Sequence, residues 1–259
     1  MSIPRSKSTG FTLIEMLIIA PLAIILVSGL IAAIVAMTSK VMISQARNDI
    51  AYSSNKALDQ IEADTHLSLN FMSNSGSIAA PQGSGGANFT GSGSFSSSSA
   101  LILETLATDR NPLDSNKKIV YYANQPNACG ATESVNTPMT TKNIYFLNGT
   151  NLFRRIIVPY EQGSANTCSD PWQINTCTNG YSGGTSGIIC GAKDELMADS
   201  VASFNVDYYM DPADAAAAPK SSASAAKGIE ATINTEKQIA GETVTASYSI
   251  RASLYDSGE

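Results

Sequence analysis

The sequence predicts an α+β protein: one long N-terminal α-helix, transmembrane and then amphipathic, packed on an antiparallel β-sheet. Three observations predict it. Residues 16–37 carry no formal charge, residues 41–66 carry an apolar stripe at helical spacing, and the chain from residue 101 reads as short strands between turn residues. Of the 259 residues 43% are hydrophobic and only 15% charged, against about 25% charged in typical soluble domains. That apolar content argues against a disordered chain, and a single long apolar run argues against a multi-span transporter. The net charge of −6 offers no general attraction to nucleic acid or to an anionic membrane surface.

The helix comes first. The 22 uncharged residues at 16–37 make about 33 Å of helix, enough to cross a hydrocarbon core of about 30 Å. A secretory signal has an apolar region of only about 7–15 residues, so this run reads as a retained anchor. Arg5 and Lys7 precede it and Lys40 and Arg47 follow it, which orients it only weakly. Glu15 stands at its head. A carboxylate there is costly in lipid and marks a function or a needed partner, although the dipole of a helix beginning at Met16 also favours it.

The stretch Ser-Thr-Gly-Phe-Thr-Leu-Ile-Glu-Met-Leu at 8–17 closely resembles the class III signal of type IV prepilins: a short basic leader, Gly10, Phe11, and an acid five residues after the glycine. The resemblance implies cleavage between Gly10 and Phe11 by a prepilin peptidase, N-methylation of the new Phe11 amine by the same enzyme, and a Glu15 that meets such an amine during filament assembly. A glycine suits cleavage because a residue without Cβ lets the peptidase approach the backbone. Loss of ten residues that include Arg5 and Lys7 takes the net charge from −6 to −8. Pro21 departs from the family pattern, lying earlier in the span than the usual pilin proline, and proline removes an intrahelical hydrogen bond.

The stripe of Ile43, Ala46, Ile50, Ala57, Leu58 and Ile61 carries the helix beyond the membrane to about His66. Residues 73–99 hold 10 Ser and 6 Gly and no charge, the composition of a loop. Strands are predicted at 101–106, 118–123, 143–147 and 152–158, the last two joined at Asn148-Gly149, a strong hairpin signal. Phe204, Val206 and Tyr208 alternate with polar residues, as do Val244, Ala246, Tyr248, Ile250, Ala252 and Leu254. The organisation is therefore a leader at 1–10, an assembly helix at 11–39, its amphipathic continuation at 40–70, a Ser/Gly-rich loop at 71–100 and a β-rich extracytoplasmic domain at 101–259. Ile-Val-Tyr-Tyr-Ala at 119–123, Asn-Gly-Thr-Asn-Leu-Phe-Arg at 148–154, the stretch at 196–209 and the last strand resemble PilW-like minor pilins and the J-type minor pseudopilins of type II secretion.

A pilin-like anchor places everything beyond Lys40 outside the cytoplasm, where thiols oxidise. Cys129, Cys168, Cys177 and Cys190 then form two disulfides in one of three connectivities. Intervals of 39, 9 and 13 residues contain no C-x-x-C knuckle, and His66 is the only histidine, so the cysteines are a poor zinc site. Asp170 and Asn175 read as turn formers, there being no calcium-loop pattern. No G-x-S-x-G elbow accompanies His66. Asp194-Glu195 reads as solvated charge on a loop, and Arg154-Arg155 as strand-edge or ion-pair chemistry.

The expected function is that of a non-enzymatic minor pilin or minor pseudopilin without cofactor, acting in filament initiation or at the tip of a type IV pilus or type II secretion pseudopilus. Its implied partners are the prepilin peptidase and N-methyltransferase, other pilins or pseudopilins, and the inner-membrane assembly platform. It would rest in the inner membrane before assembly and in an extracytoplasmic filament afterwards. The alternative is a singly anchored extracytoplasmic adhesin or sugar-binding module.

Overall fold

The computed structural model describes residues 13–73, 100–122, 138–158, 168–177, 191–210 and 222–254. Helix α1 (Leu13–His66) has 54 residues and contains Pro21 without ending there; at about 1.5 Å per residue it is about 81 Å long. Residues 13–38 are exposed throughout. Burial begins at Ala46 and recurs at Ile50, Ser54, Ala57, Leu58, Ile61, Asp64 and Thr65, the three-and-four spacing of a helix lying on one face. The helix closes on itself: the Ser68 hydroxyl donates to the Asp64 carbonyl and the Leu67 amide to that of Ala63, satisfying acceptors that a helix end leaves open, and the Thr65 hydroxyl bonds back to the Ile61 carbonyl.

Ten strands follow among the described residues: β1 (Ser68–Phe71), β2 (Ala100–Leu106), β3 (Thr140–Asn148), β4 (Asn151–Ile157), β5 (Thr176–Cys177), β6 (Ala192–Lys193), β7 (Glu195–Ala198), β8 (Val201–Tyr209), β9 (Gly228–Ile239) and β10 (Glu242–Ser253). They form an antiparallel five-stranded sheet in the order β1-β2-β3-β4-β7, an antiparallel three-stranded sheet β10-β9-β8, and the parallel pair β5-β6. The helix ends at His66, where the apolar stripe placed its end, and strand begins at Ser68.

One core joins the helix to both larger sheets. Ala57, Leu58 and Ile61 of α1 pack with Leu101, Leu103, Tyr145 and Leu152 of the first sheet and with Tyr208, Ile229, Ala231, Ile233 and Ala252 of the second. Phe71 meets Tyr208 edge to face at 5.8 Å between ring centroids, the preferred aromatic geometry. The far face of the first sheet is also buried, around Ala100, Ile102, Ile144, Phe146 and Ile157. A strand covered on both faces has no reason to alternate, which is why β2 opens on four successive apolar residues, Ala100 to Leu103, and β10, covered on one face, alternates cleanly.

Two expectations needed correction. Residues 118–122 belong to no continuous strand, with Ile119 and Tyr121 making isolated bridges to Thr108 and Pro138; Ala123 lies outside the described residues. Backbone bonds still tie them to their neighbours, from the Asp109 amide to the Lys118 carbonyl, from Val120 to Ala107 and from Met139 to Val120, while the Asp109, Asn111 and Asp114 side chains accept from the amides of Lys118, Leu113 and Asn116 and turn the chain just before them. Strand β9 was not expected, yet Ile229, Ala231, Ile233 and Thr235 are buried in alternation; the small Ala and polar Thr in that row weaken the apolar signal.

The β3–β4 hairpin closes over Gly149-Thr150, with Gly149 at φ 62°. The β9–β10 hairpin closes over Ala240-Gly241 with φ of 51° and 84°, the type I′ pattern, which asks for Asn or Gly where Ala240 stands. Holding a Cβ residue in the left-handed region costs about 1 kcal/mol. Ala240→Asn should therefore stabilise the protein by about 1 kcal/mol in urea unfolding of the full chain in detergent, and an unchanged midpoint would contradict this.

Candidate functional site

The site begins with α1. From Leu13, 85% exposed, through Leu17, Ile25, Leu30 and Val35 to Met37, 70% exposed, the large apolar side chains have no protein cover. This segment is long and apolar enough to cross a membrane and none of it is buried. An exposed apolar surface of this length is of the kind that lipid or neighbouring helices cover. Its hydroxyls are arranged accordingly: Ser28 Oγ donates to the Ile24 and Ile25 carbonyls and Thr38 Oγ1 to that of Ile34, leaving few polar atoms to face hydrocarbon. Glu15 lies in the first turn, where the helix dipole favours its charge. Gly10 and Phe11 lie outside the described residues.

At its other end α1 is fastened to the sheet through a buried carboxylate. Asp64 is 4% exposed and receives five hydrogen bonds. Arg154 Nε donates to Oδ2 at 2.7 Å and Nη2 to Oδ1 at 3.0 Å, Tyr145 Oη donates at 2.6 Å, Asn143 Nδ2 at 3.3 Å and Gln60 Nε2 at 3.0 Å. The forked guanidinium contact is the strong, directional form of an ion pair. Arg154 also reaches Glu195 of β7 at 3.4 Å, so helix, β3, β4 and β7 meet at one point. Burial works against the charge on Arg154, but the Tyr145 and Asp64 oxygens outweigh it and its pKa is raised. Burial, followed by the Asp64 charge, pushes the Tyr145 phenol well above its usual 10.

The opposite face of β4 carries a second buried pair. Arg155, fully buried, donates from Nε and Nη2 to both oxygens of Asp194, and Thr176 Oγ1 donates to Asp194 at 3.0 Å. The Arg155 guanidinium also lies 5.2 Å from the Phe146 ring centroid, a cation–π distance. These residues correct two expectations. Asp194 is not solvated charge, being buried against Arg155 on the far face, whereas Glu195, half exposed, reaches Arg154 on the helix side. Of the two readings of Arg154-Arg155, ion pairing is the one found; the strand-edge reading fails because β4 lies between β3 and β7. Sequence could have signalled this, since two basic and two acidic neighbours on strands of period two must each present one charge per face.

The cysteine-containing segment is laid against the same strand end. Cys168 is disulfide-bonded, and its amide donates to the Tyr121 carbonyl. The Asn175 side chain, in place of a turn role, accepts from the Val158 amide and donates to the Val158 carbonyl, acting as a strand partner. The Gln173 side chain accepts from the Thr108 amide and donates to the Thr108 hydroxyl and the Leu106 carbonyl. The chain beside them is held while Trp172 stays 52% exposed. Cys129 and Cys190, and the side chain of Cys177, lie outside the described residues. Among the described residues no three His, Cys, Asp or Glu side chains gather as a metal site would require, and His66 lies on the helix surface, 3.8 Å from Glu62.

No family model, curated protein or solved structure matches this chain.

Asp64→Ala should cost about 3 kcal/mol, at the low end for a broken buried pair because Glu195 remains beside Arg154; urea unfolding measures it. The two buried phenols should part company. Tyr145→Phe removes a donor to Asp64 and should destabilise by about 1–3 kcal/mol. Tyr208→Phe should be neutral or stabilising, because the buried Tyr208 hydroxyl has no hydrogen-bond partner among the described residues. Burial raises the Tyr208 pKa as well. Both phenols stay protonated in the folded protein where the unfolded chain ionises. Their contribution is therefore whole below about pH 10 and falls above it, by about 1.4 kcal/mol per pH unit for each. Either Phe variant should flatten that alkaline decline, read from unfolding free energies at successive pH values.

Proposed function

We propose that this chain is a non-enzymatic minor pilin or minor pseudopilin, a subunit drawn from the inner membrane into a helical filament by its N-terminal helix. The observation that carries the reading is the division of α1: an exposed apolar length headed by Glu15, and a second length fixed to an antiparallel sheet through Asp64. The prepilin-like stretch at 8–17 supports the same reading independently. Lipid and a bundle of like helices are equally apolar, so such a segment can pass from one to the other without exposing its surface to water.

Glu15 supplies selectivity in this scheme. A carboxylate in a low-dielectric zone that meets the cationic amine of a neighbouring mature Phe11 gains a strong attraction that a wrongly placed neighbour would not supply. Cleavage after Gly10 would create that amine. The large domain beyond Val41, about 219 of the 259 residues, suits initiation or a tip position, since a head of that size repeated at every turn would crowd a shaft. The partners on this reading are the prepilin peptidase and methyltransferase, other pilins or pseudopilins, and the inner-membrane assembly platform.

Two variants test it. Gly10→Val should abolish the mature species beginning at Phe11 in mass spectra of the purified protein; a mature N-terminus still at Phe11 would exclude the peptidase assignment. Glu15→Ala should be processed normally yet enter sheared filaments at least tenfold less than the parent. If the unaltered chain never co-purifies with filaments and stays in the membrane, the anchored-adhesin reading takes its place.

A further inference from the structure

We propose that the outer edge of β10 is a docking site for an extended segment of another protein, which adds to the three-stranded sheet as a further strand. Strand β10 pairs with β9 at all twelve positions, from Glu242 opposite Ile239 to Ser253 opposite Gly228, without a bulge. The bond from the Leu254 amide to the Lys227 carbonyl and the two-residue hairpin at the other end fix the alternation. Even-numbered residues of β10 direct their amides and carbonyls at β9, and odd-numbered ones direct theirs outward. The outward set is Thr243, Thr245, Ser247, Ser249, Arg251 and Ser253. Among the described residues none of them has a backbone partner on that side, and Thr243 through Arg251 in this set have exposed side chains.

The other sheet edges are protected in ways that β10 is not. Strands β1 and β7 have four residues each and an irregular register, and the free side of β8 is engaged where the Val201 amide donates to the Thr150 carbonyl. Short length, bulges, lysine and proline are the usual defences of an edge. Residues 243–250, Thr-Val-Thr-Ala-Ser-Tyr-Ser-Ile, have none of these.

The exposed chemistry defines the occupant. A row of outward amides and carbonyls is matched by a polypeptide backbone in extended form, and by no lipid or sugar of comparable regularity. Opposite Thr245, Ser247 and Ser249 the occupant would carry hydroxyl or β-branched side chains. Opposite the half-buried Ala246, Tyr248 and Ile250 it would carry apolar ones, extending the layer that α1 covers.

A second copy of this chain fits poorly. Arg47 meets Glu242 at one end of the strand, and Ala57, Leu58 and Ile61 share a cluster with Ala252 at the other, so α1 and β10 run in the same direction. Antiparallel pairing of two β10 edges would send the two apolar spans in opposite directions, which one membrane cannot accommodate. Parallel pairing about a two-fold axis would turn equivalent side chains to opposite faces, which the pleat forbids in register. The proposal requires the anchoring of α1 but not filament assembly.

The test uses the full-length protein in detergent and a fluorescent peptide copying Gly228–Ile239, a sequence that β10 already accepts on its inner side. Saturable binding is expected. Ser247→Pro should weaken it at least tenfold, since proline removes an outward donor and spares the ladder to β9, while Ser247→Ala should bind as the parent does. Hydrogen exchange on the unaltered protein gives a readout that needs no variant: the amides of Thr243, Thr245, Ser247 and Ser249 should exchange fast alone and slowly with peptide. Absent binding, binding indifferent to Ser247→Pro, or odd-numbered amides already protected in the free protein would overturn the proposal. A dimer in sedimentation that Ser247→Pro abolishes would overturn the choice of occupant, identifying a second copy in place of a different chain.

Discussion

The arrangement of this protein depends on one buried carboxylate. Asp64 sits in the last turns of α1 and takes donors from β3, β4 and its own helix. A charge withdrawn from water is tolerable only when its partners are close and correctly aimed, because each ion loses several kcal/mol of hydration that loose contacts cannot return. The end of the helix therefore has one position relative to the strands. Since α1 is a single helix from Leu13, the same contact also sets the direction in which the apolar length leaves the folded domain.

The neighbouring charges extend this logic through the sheet. Successive residues of a strand point to opposite faces, so Arg154 serves the helix side and Arg155 the far side, and Glu195 and Asp194 answer them in the same order. Two adjacent strands thereby tie together three layers. Where the chain beyond β4 forms no long strand, the Asn175 and Gln173 amides and the Thr176 hydroxyl take the place of a backbone partner, and the disulfide at Cys168 holds the segment that carries them. The low overall charge of the sequence conceals how closely these charges are matched.

The fold class and the helix were legible because they rest on composition and periodicity. Period two in Val244 through Leu254, the stripe from Ala46 to Ile61 and the Asn-Gly turn all describe local geometry, and each appears where it was expected. What was missed has a physical pattern of its own. Residues 118–122 carry strand-forming side chains, but they follow a stretch that Asp and Asn side chains fold into turns, and Ile119 and Tyr121 make only isolated bridges. Strand β9 hid its alternation behind Ala231 and Thr235, small or polar residues that tertiary neighbours bury.

The sequence by itself determined that one end of this chain is a greasy helix with a single acid near its head and that the rest is a sheet, because hydrophobic length and period are local properties of the chain. Only the tertiary structure decided which of its charges are buried and with whom. Asp64 is one acid among 22 Asp and Glu residues, and nothing in its own neighbourhood distinguishes it. Its role arises from Arg154, 90 residues away, and a pairing over that distance exists only once the strands between have found their register.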